Sequence, residues 1–259
     1  MSIILHIGSS KTGTTAIQDF CTRYANILSI HKIYYPISYQ GFNLSFGGNA
    51  HALLYQALDE GRISQVLEFL SICLIEQNKR ECQHTLLSAE SLSDLSICKK
   101  SQLLRLVQEF FGSIRIISYL RDPIEWISRA SHHTDHSKDQ DFHIRFASHQ
   151  LRMIYEWASI SQIHRASFEI YSYAKRSSNI IYYWLQEVLD FDPKAFRNAF
   201  PSDYSDFVGP SERINLSSDR SLPPQLSNDP DNVAFFTQVV KSQSDEFLEQ
   251  ISRMGIVIN

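Results

Sequence analysis

With 259 residues, 43% of them hydrophobic and 20% charged, the chain has the make-up of an ordinary globule and is long enough for one large α/β domain or one with a helical appendage. This composition excludes an intrinsically disordered chain, and a formal net charge of −4 argues against a general binder of nucleic acid or membrane surfaces, though a local basic pocket remains open. No apolar run reaches membrane-spanning length, and Ile3–Ile7 is too short for the core of a secretory leader. Cys21, Cys73, Cys82 and Cys98 have no paired metal spacing, and Cys21 and Cys73 fall on apolar helical faces as buried thiols; together these features predict a protein of the reducing cytoplasm.

The chain opens with Ile3, Ile4, Leu5 and Ile7, the pattern of a short buried parallel strand. Gly8-Ser9-Ser10-Lys11-Thr12-Gly13-Thr14-Thr15 follows, and behind it Ile17, Phe20, Cys21, Tyr24, Ile27 and Leu28 recur at helical spacing. A strand, a glycine-rich loop and a helix start form a cradle for an anion: backbone N–H groups converge, and the helix N-terminus adds partial positive charge. Lys11 brings a full charge, while Thr14 and Thr15 bring hydroxyls that can bind the ligand or cap the helix. The alternative is a plain strand–turn–helix with no ligand. The triphosphate-binding loop G-x-x-x-x-G-K-[ST] has its lysine after the second glycine; here Thr14 holds that place and the lysine comes earlier, at Lys11.

Ile33-Tyr34-Tyr35-Pro36 reads as a short strand or extended exit, and Ser38–Asn49 as loop. Asn49 can cap a helix over His51–Leu58, with His51 in its first turn, either as a surface histidine or on the substrate side of a site. Ile63–Gln77 is amphipathic through Val66, Leu67, Leu70, Cys73 and Leu74. Thr85–Ala89 is a second buried strand with Glu90 at its carboxyl end, where open α/β sheets bind ligands. Glu90 is a candidate general base if this strand neighbours the first; an N-cap or a surface glutamate is the other reading.

A helix over Leu103–Phe111 leads to a third strand, Ile114–Leu120, which runs into Arg121-Asp122-Pro123. Asp122 suits a helix cap and Pro123 a first turn, so Arg121 stands on the same rim as the first loop, where a guanidinium can fork two phosphate oxygens. His132 and His136 lie four apart, but no third ligand with a recognisable spacing follows; the segment reads as solvated surface rather than a metal site, and Ser131–Asp141 as a loop over the site. Phe142–Ile160 is helical with Phe146, Leu151, Ile154, Tyr155 and Ala158 inward; Ala166–Tyr171 is a fourth strand after the loop; Ser177–Leu189 is a helix whose aromatic residues are core.

Two of these segments resemble motifs of sulfotransferases that use 3′-phosphoadenylyl sulfate (PAPS). The order Lys11-Thr12-Gly13-Thr14-Thr15 after a strand is similar to their 5′-phosphosulfate loop, with Ser10 where many bacterial members have proline, and Tyr119-Leu120-Arg121-Asp122-Pro123 is similar to their 3′-phosphate motif. Leu87-Ser88-Ala89-Glu90, Asn49-Ala50-His51 and Glu212-Arg213-Ile214-Asn215 resemble further segments of the bacterial branch. The resemblance implies a three-layer, P-loop-like α/β fold with a central, mostly parallel sheet flanked by helices. Pro201, Gly209, Pro210, Pro223, Pro224 and Pro230 make 200–231 loop-like, a terminal helix follows over 233–254, and the whole of 1–259 reads as a single domain. The resemblance also implies PAPS as donor and a hydroxyl acceptor such as a glycan or glycolipid. Ser10, Lys11, Thr12, Gly13, Thr14 and Thr15 would bind the 5′-phosphosulfate, Arg121 and Arg213 would reach the nucleotide, and Glu90 or His51 would deprotonate the acceptor. The family's second 3′-phosphate ligand is a serine eight residues after the arginine, where this chain has Arg129; Ser128 or Arg129 fills the role, or the site is damaged. A variant P-loop kinase or NTPase and a nucleotide-binding protein without catalysis are the alternatives.

Overall fold

The computed structural model describes residues 1–8, 12–40, 42–44, 51–130, 140–173, 180–192 and 230–259. Five strands form one all-parallel sheet: β1 (Ser2–His6), β2 (Ile33–Tyr34), β5 (His84–Ser88), β6 (Ser113–Leu120) and β7 (Ser167–Ser172), in the order β2-β5-β1-β6-β7. Leu5 pairs with Leu87 on one side and with Ile116 on the other, so the opening strand is the middle of the sheet. The four strands expected from apolar runs are present within a residue or two of their predicted ends, and Ile33–Tyr34 is a fifth. Within Ser38–Asn49, read as loop, Ser38–Tyr39 (β3) and Phe42–Asn43 (β4) pair as a short antiparallel hairpin.

Parallel strands buried on both faces need helices on both faces. Ile3, Leu5 and Ile7 point to one side. They pack with α3 (Ala52–Asp59), α4 (Ile63–Lys79), α5 (Ile97–Phe110) and α7 (Gln140–Ile163), through residues such as Leu58, Leu70, Leu104 and Trp157. Ile4 points to the other side. It packs with α1 (Thr14–Arg23), α2 (Ala25–Ile30) and α8 (Ile180–Tyr183), which a π-type turn at Trp184–Val188 continues. This alternation, period two along β1, makes the three layers. Fully burying one such side chain stabilises the fold by roughly 1.5–3 kcal/mol. A smaller cluster joins α7 and β7 to α9 (Pro230–Arg253) through Leu151, Ile170, Phe247 and Ile251.

One inward assignment is corrected. Tyr155 on α7 is 39% exposed. The buried arc of that helix runs through Gln150, Met153, Ile154, Trp157, Ala158 and Ser161, and successive residues turn by about 100° on a helix, which carries Tyr155 past the rim of the arc. Cys21 and Cys73 are buried free thiols and Trp184 and Leu185 are core, as expected, whereas Tyr182 and Tyr183 of the same helix are only half-buried. Among the described residues, no helix is long and apolar enough to cross a membrane.

From β1 the chain moves to one edge for β2 and β5, then crosses to the other side for β6 and β7. Connections that diverge in this way leave a crevice at the carboxyl ends of the central strands. Gly8, Glu90, Arg121 and Tyr173 all follow the carboxyl ends of their strands and therefore share this edge.

Candidate anion site at the carboxyl edge of the sheet

The loop after β1 is shaped by two glycines. A Cβ on Gly8 would stand 2.0 Å from Thr14 Oγ1, far inside any real contact, so strand end and helix start approach to a distance only glycine permits. Gly13 has φ 83° and ψ 8°, the left-handed region, and occupies the N-cap of α1. That position corrects the capping assignment: Thr14 and Thr15 are the first two helical residues, and among the described residues no side chain caps the helix. The N–H groups of the first turn are therefore left to a ligand or to solvent, at the positive end of the helix dipole. Thr12 and Thr14 are buried, while Thr15 is exposed. Thr14 Oγ1 is buried and makes no hydrogen bond among the described residues, a state that costs about 1–3 kcal/mol unless another group engages the hydroxyl. Ser10 and Lys11 lie outside the described residues.

Beneath the loop lies a buried polar layer that sequence reading did not find. His6 Nδ1 and Ser88 Oγ are 2.8 Å apart, and Gln18 Nε2 donates to Ser88 Oγ at 3.1 Å and to the Ser88 carbonyl at 3.2 Å. The His6 ring packs against Trp184 at 4.9 Å, and burial pushes its pKa down to about 3. Each of these polar residues sits on an otherwise apolar strand or helix face, which was the available signal.

His51 belongs to the same layer. It is fully buried at the N-cap position of α3, not on the surface and not in the first turn. The Ser88 N–H donates to its Nδ1 at 2.9 Å, and its Nε2–H donates to the Pro36 carbonyl at 2.9 Å. Burial lowers its pKa to about 4, against the opposing pull of two carbonyls, that of Pro36 at Nε2 and that of Ser88, 3.1 Å from Nδ1, which favour the protonated ring. A neutral ring with both nitrogens engaged cannot accept a proton without releasing the Ser88 amide. His51 therefore clamps the end of β5 and does not present a base to the crevice.

Two residues beyond that clamp stands Glu90. β5 is hydrogen-bonded to β1 throughout, and the Ala89 N–H donates to the His6 carbonyl at 3.1 Å, so the condition for Glu90 to flank the loop is met. Ala89, not Glu90, takes the N-cap position of the 3₁₀ turn Glu90–Asp94. Glu90 is half-buried, and its carbonyl accepts from Ser93 Oγ at 2.7 Å.

On the other side of β1, β6 ends at Leu120, and α6 (Pro123–Ala130) begins as predicted. Asp122 Oδ1 accepts from the N–H groups of Ile124 and Glu125, both at 3.0 Å, which is N-capping. Between strand and cap, Arg121 is 2% exposed, and its guanidinium carbon lies 4.0 Å from the centroid of the Tyr173 ring. The Tyr173 N–H donates to the Leu120 carbonyl at 2.8 Å, tying the end of β7 to the end of β6. A Cβ on Gly13 would stand 3.2 Å from Tyr173 Cε2. One aromatic ring thus lies against the guanidinium and stands beside the left-handed turn of the first loop, near enough to crowd a side chain there. Tyr173 was missed in the sequence; its place just past a strand end, like that of Arg121, was the clue.

Ser128 and Arg129 are on α6, but their side chains are outside the described set, as are Arg213, His132 and His136 entirely. Two cavities of about 300 Å³ lie away from this edge, one lined by Ser2, His84 and Arg115 at the start of the strands, the other by Gln162, Phe168 and Met254. Neither contains a residue of the crevice, so the site is defined by the convergence of strand ends. No family model matches the chain, and no curated protein and no solved structure matches it.

Proposed function

We propose that this chain is a sulfotransferase that moves the sulfuryl group of PAPS to a hydroxyl of a glycan or glycolipid. The observation that carries the reading is the single ring of Tyr173 lying against Arg121 and beside Gly13. The uncapped start of α1 and a guanidinium, two groups suited to anions, stand near this ring at one edge of the sheet, and that supports the reading. A nucleotide with anionic groups on both its 5′ and 3′ oxygens has that charge pattern. The lysine placed before the second glycine, and not after it, favours a phosphosulfate over a triphosphate.

When bound, PAPS would supply the sulfuryl group, whose sulfur gains a bond to the acceptor oxygen as its bond to the 5′-phosphate oxygen breaks. The residues of the chain divide the remaining tasks. The N–H groups of Gly13, Thr14 and Thr15 and the hydroxyl of Thr14 would hold the 5′ anion, and Lys11 would offset the charge that develops on the leaving oxygen. Arg121 would hold the 3′-phosphate, with Ser128 as its partner on α6 and Arg213 reaching the nucleotide. Glu90 would take the acceptor proton from the far side of the loop. His51 would act only by fixing the end of β5. Transfer of this kind relies on positioning and electrostatics, as phosphoryl transfer does. The proposed reaction belongs in the cytoplasm, where the adenylate donor is made.

Titration calorimetry tests the reading with adenosine 3′,5′-bisphosphate and, separately, ATP with magnesium. The bisphosphate is expected to bind more tightly. Preference for ATP–magnesium would replace the proposal with a kinase or NTPase. A radiolabelled transfer assay over a glycan panel then separates an enzyme from a nucleotide-binding protein.

A further inference from the structure

We infer that Tyr173 is a positioning and specificity-determining residue of the carboxyl-edge site: its ring spaces Arg121 from the Gly13 turn and so sets the separation of the two anions a ligand must present. The inference rests on the nucleotide reading above and adds a residue and a task to it.

Three contacts fix the ring. Its backbone N–H is bonded to the Leu120 carbonyl, immediately before Arg121. Its face lies 4.0 Å from the guanidinium carbon, within cation–π range. A Cβ on Gly13 would stand 3.2 Å from its Cε2, so even a methyl group there would crowd the ring. The ring is 2% exposed, so no solvent layer separates these partners. A guanidinium on a long aliphatic stem has many rotamers, and a planar partner removes most of them. Tyr173 thereby converts a flexible cation into one held at a set distance from the loop amides. A ligand with anions at both 5′ and 3′ oxygens meets both elements, and one with a 5′ anion alone meets only the loop. The ring itself need not touch the ligand; it acts through Arg121.

The test is the ratio of two dissociation constants, for adenosine 5′-monophosphate and for adenosine 3′,5′-bisphosphate, measured by calorimetry on the full chain. Tyr173→Phe keeps a π face and the ring volume, and the ratio is expected to match the parent protein. Tyr173→Met fills similar space without a π face, and the ratio is expected to fall about tenfold. A merely structural role would weaken both ligands in proportion and leave the ratio unchanged. Should Tyr173→Met fail to fold, Arg121→Lys in the parent provides the second reading. Lysine keeps the charge but not the plane, and it too should lose the preference. An unchanged ratio in Tyr173→Met, or full preference in Arg121→Lys, would overturn the inference. If the parent itself shows no preference for the bisphosphate, the nucleotide reading fails instead, and the two failures are told apart by that one measurement.

Discussion

The hydroxyl of Thr14 occupies the space where a side chain on Gly8 would begin: a Cβ there would lie 2.0 Å from Thr14 Oγ1. Strand end and helix start are thus in contact across a loop whose two glycines have different tasks. Gly8 gives room, and Gly13 gives a backbone conformation that other residues adopt only with strain. Gly8→Ala is expected to cost about 1–3 kcal/mol by overpacking, read from urea denaturation. Thr14→Ala should recover part of that loss in the double variant. Additive effects of the two substitutions would contradict the contact.

Thr14→Val separates stability from binding. It removes a buried hydroxyl without a described partner while keeping the shape, so the free protein is expected to gain on the order of 1 kcal/mol. The same variant should lose most of the thermal shift that adenosine 3′,5′-bisphosphate gives the parent. A ligand-induced shift as large as the parent's would remove Thr14 from the site.

The buried histidines make a prediction for acid. His6 and His51 are held below their ordinary pKa of 6.5, at about 3 and about 4, by burial. The unfolded chain therefore binds more protons than the folded one between these values and 6.5. Their contribution to stability is complete above pH 6.5 and is lost as pH falls through the window, by up to about 1.4 kcal/mol per pH unit for each ring. Replacing His51 with Gln should flatten the pH dependence of the melting temperature between pH 6.5 and 4. An equally steep profile would mean that His51 is not neutral in the fold.

Asp122 caps α6 with two bonds and adjoins Arg121. Asp122→Ala is expected to cost about 1 kcal/mol of stability, while Asp122→Asn should cost less, as both are good caps but only one is charged. Urea midpoints of the two variants decide this.

Lys11→Ala is expected to abolish sulfuryl transfer and leave the circular-dichroism spectrum and urea midpoint unchanged. Transfer at the parent rate would remove Lys11 from the chemistry and weaken the proposed reaction with it.

Short-range rules were enough for the local pieces. Apolar runs at Ile3–Ile7 and Ile114–Leu120 became strands, Asp122-Pro123 opened a helix, and Gly13 took the turn, because periodicity, caps and φ limits act between residues a few positions apart. Which pieces meet is set by the packed fold. That β1 stands between β5 and β6, that His51 turns inward to clamp Ser88, and that Tyr173 lies across Arg121 all depend on closing loops of tens of residues. Such contacts are chosen by the packing of whole layers, and no short stretch of the chain carries them.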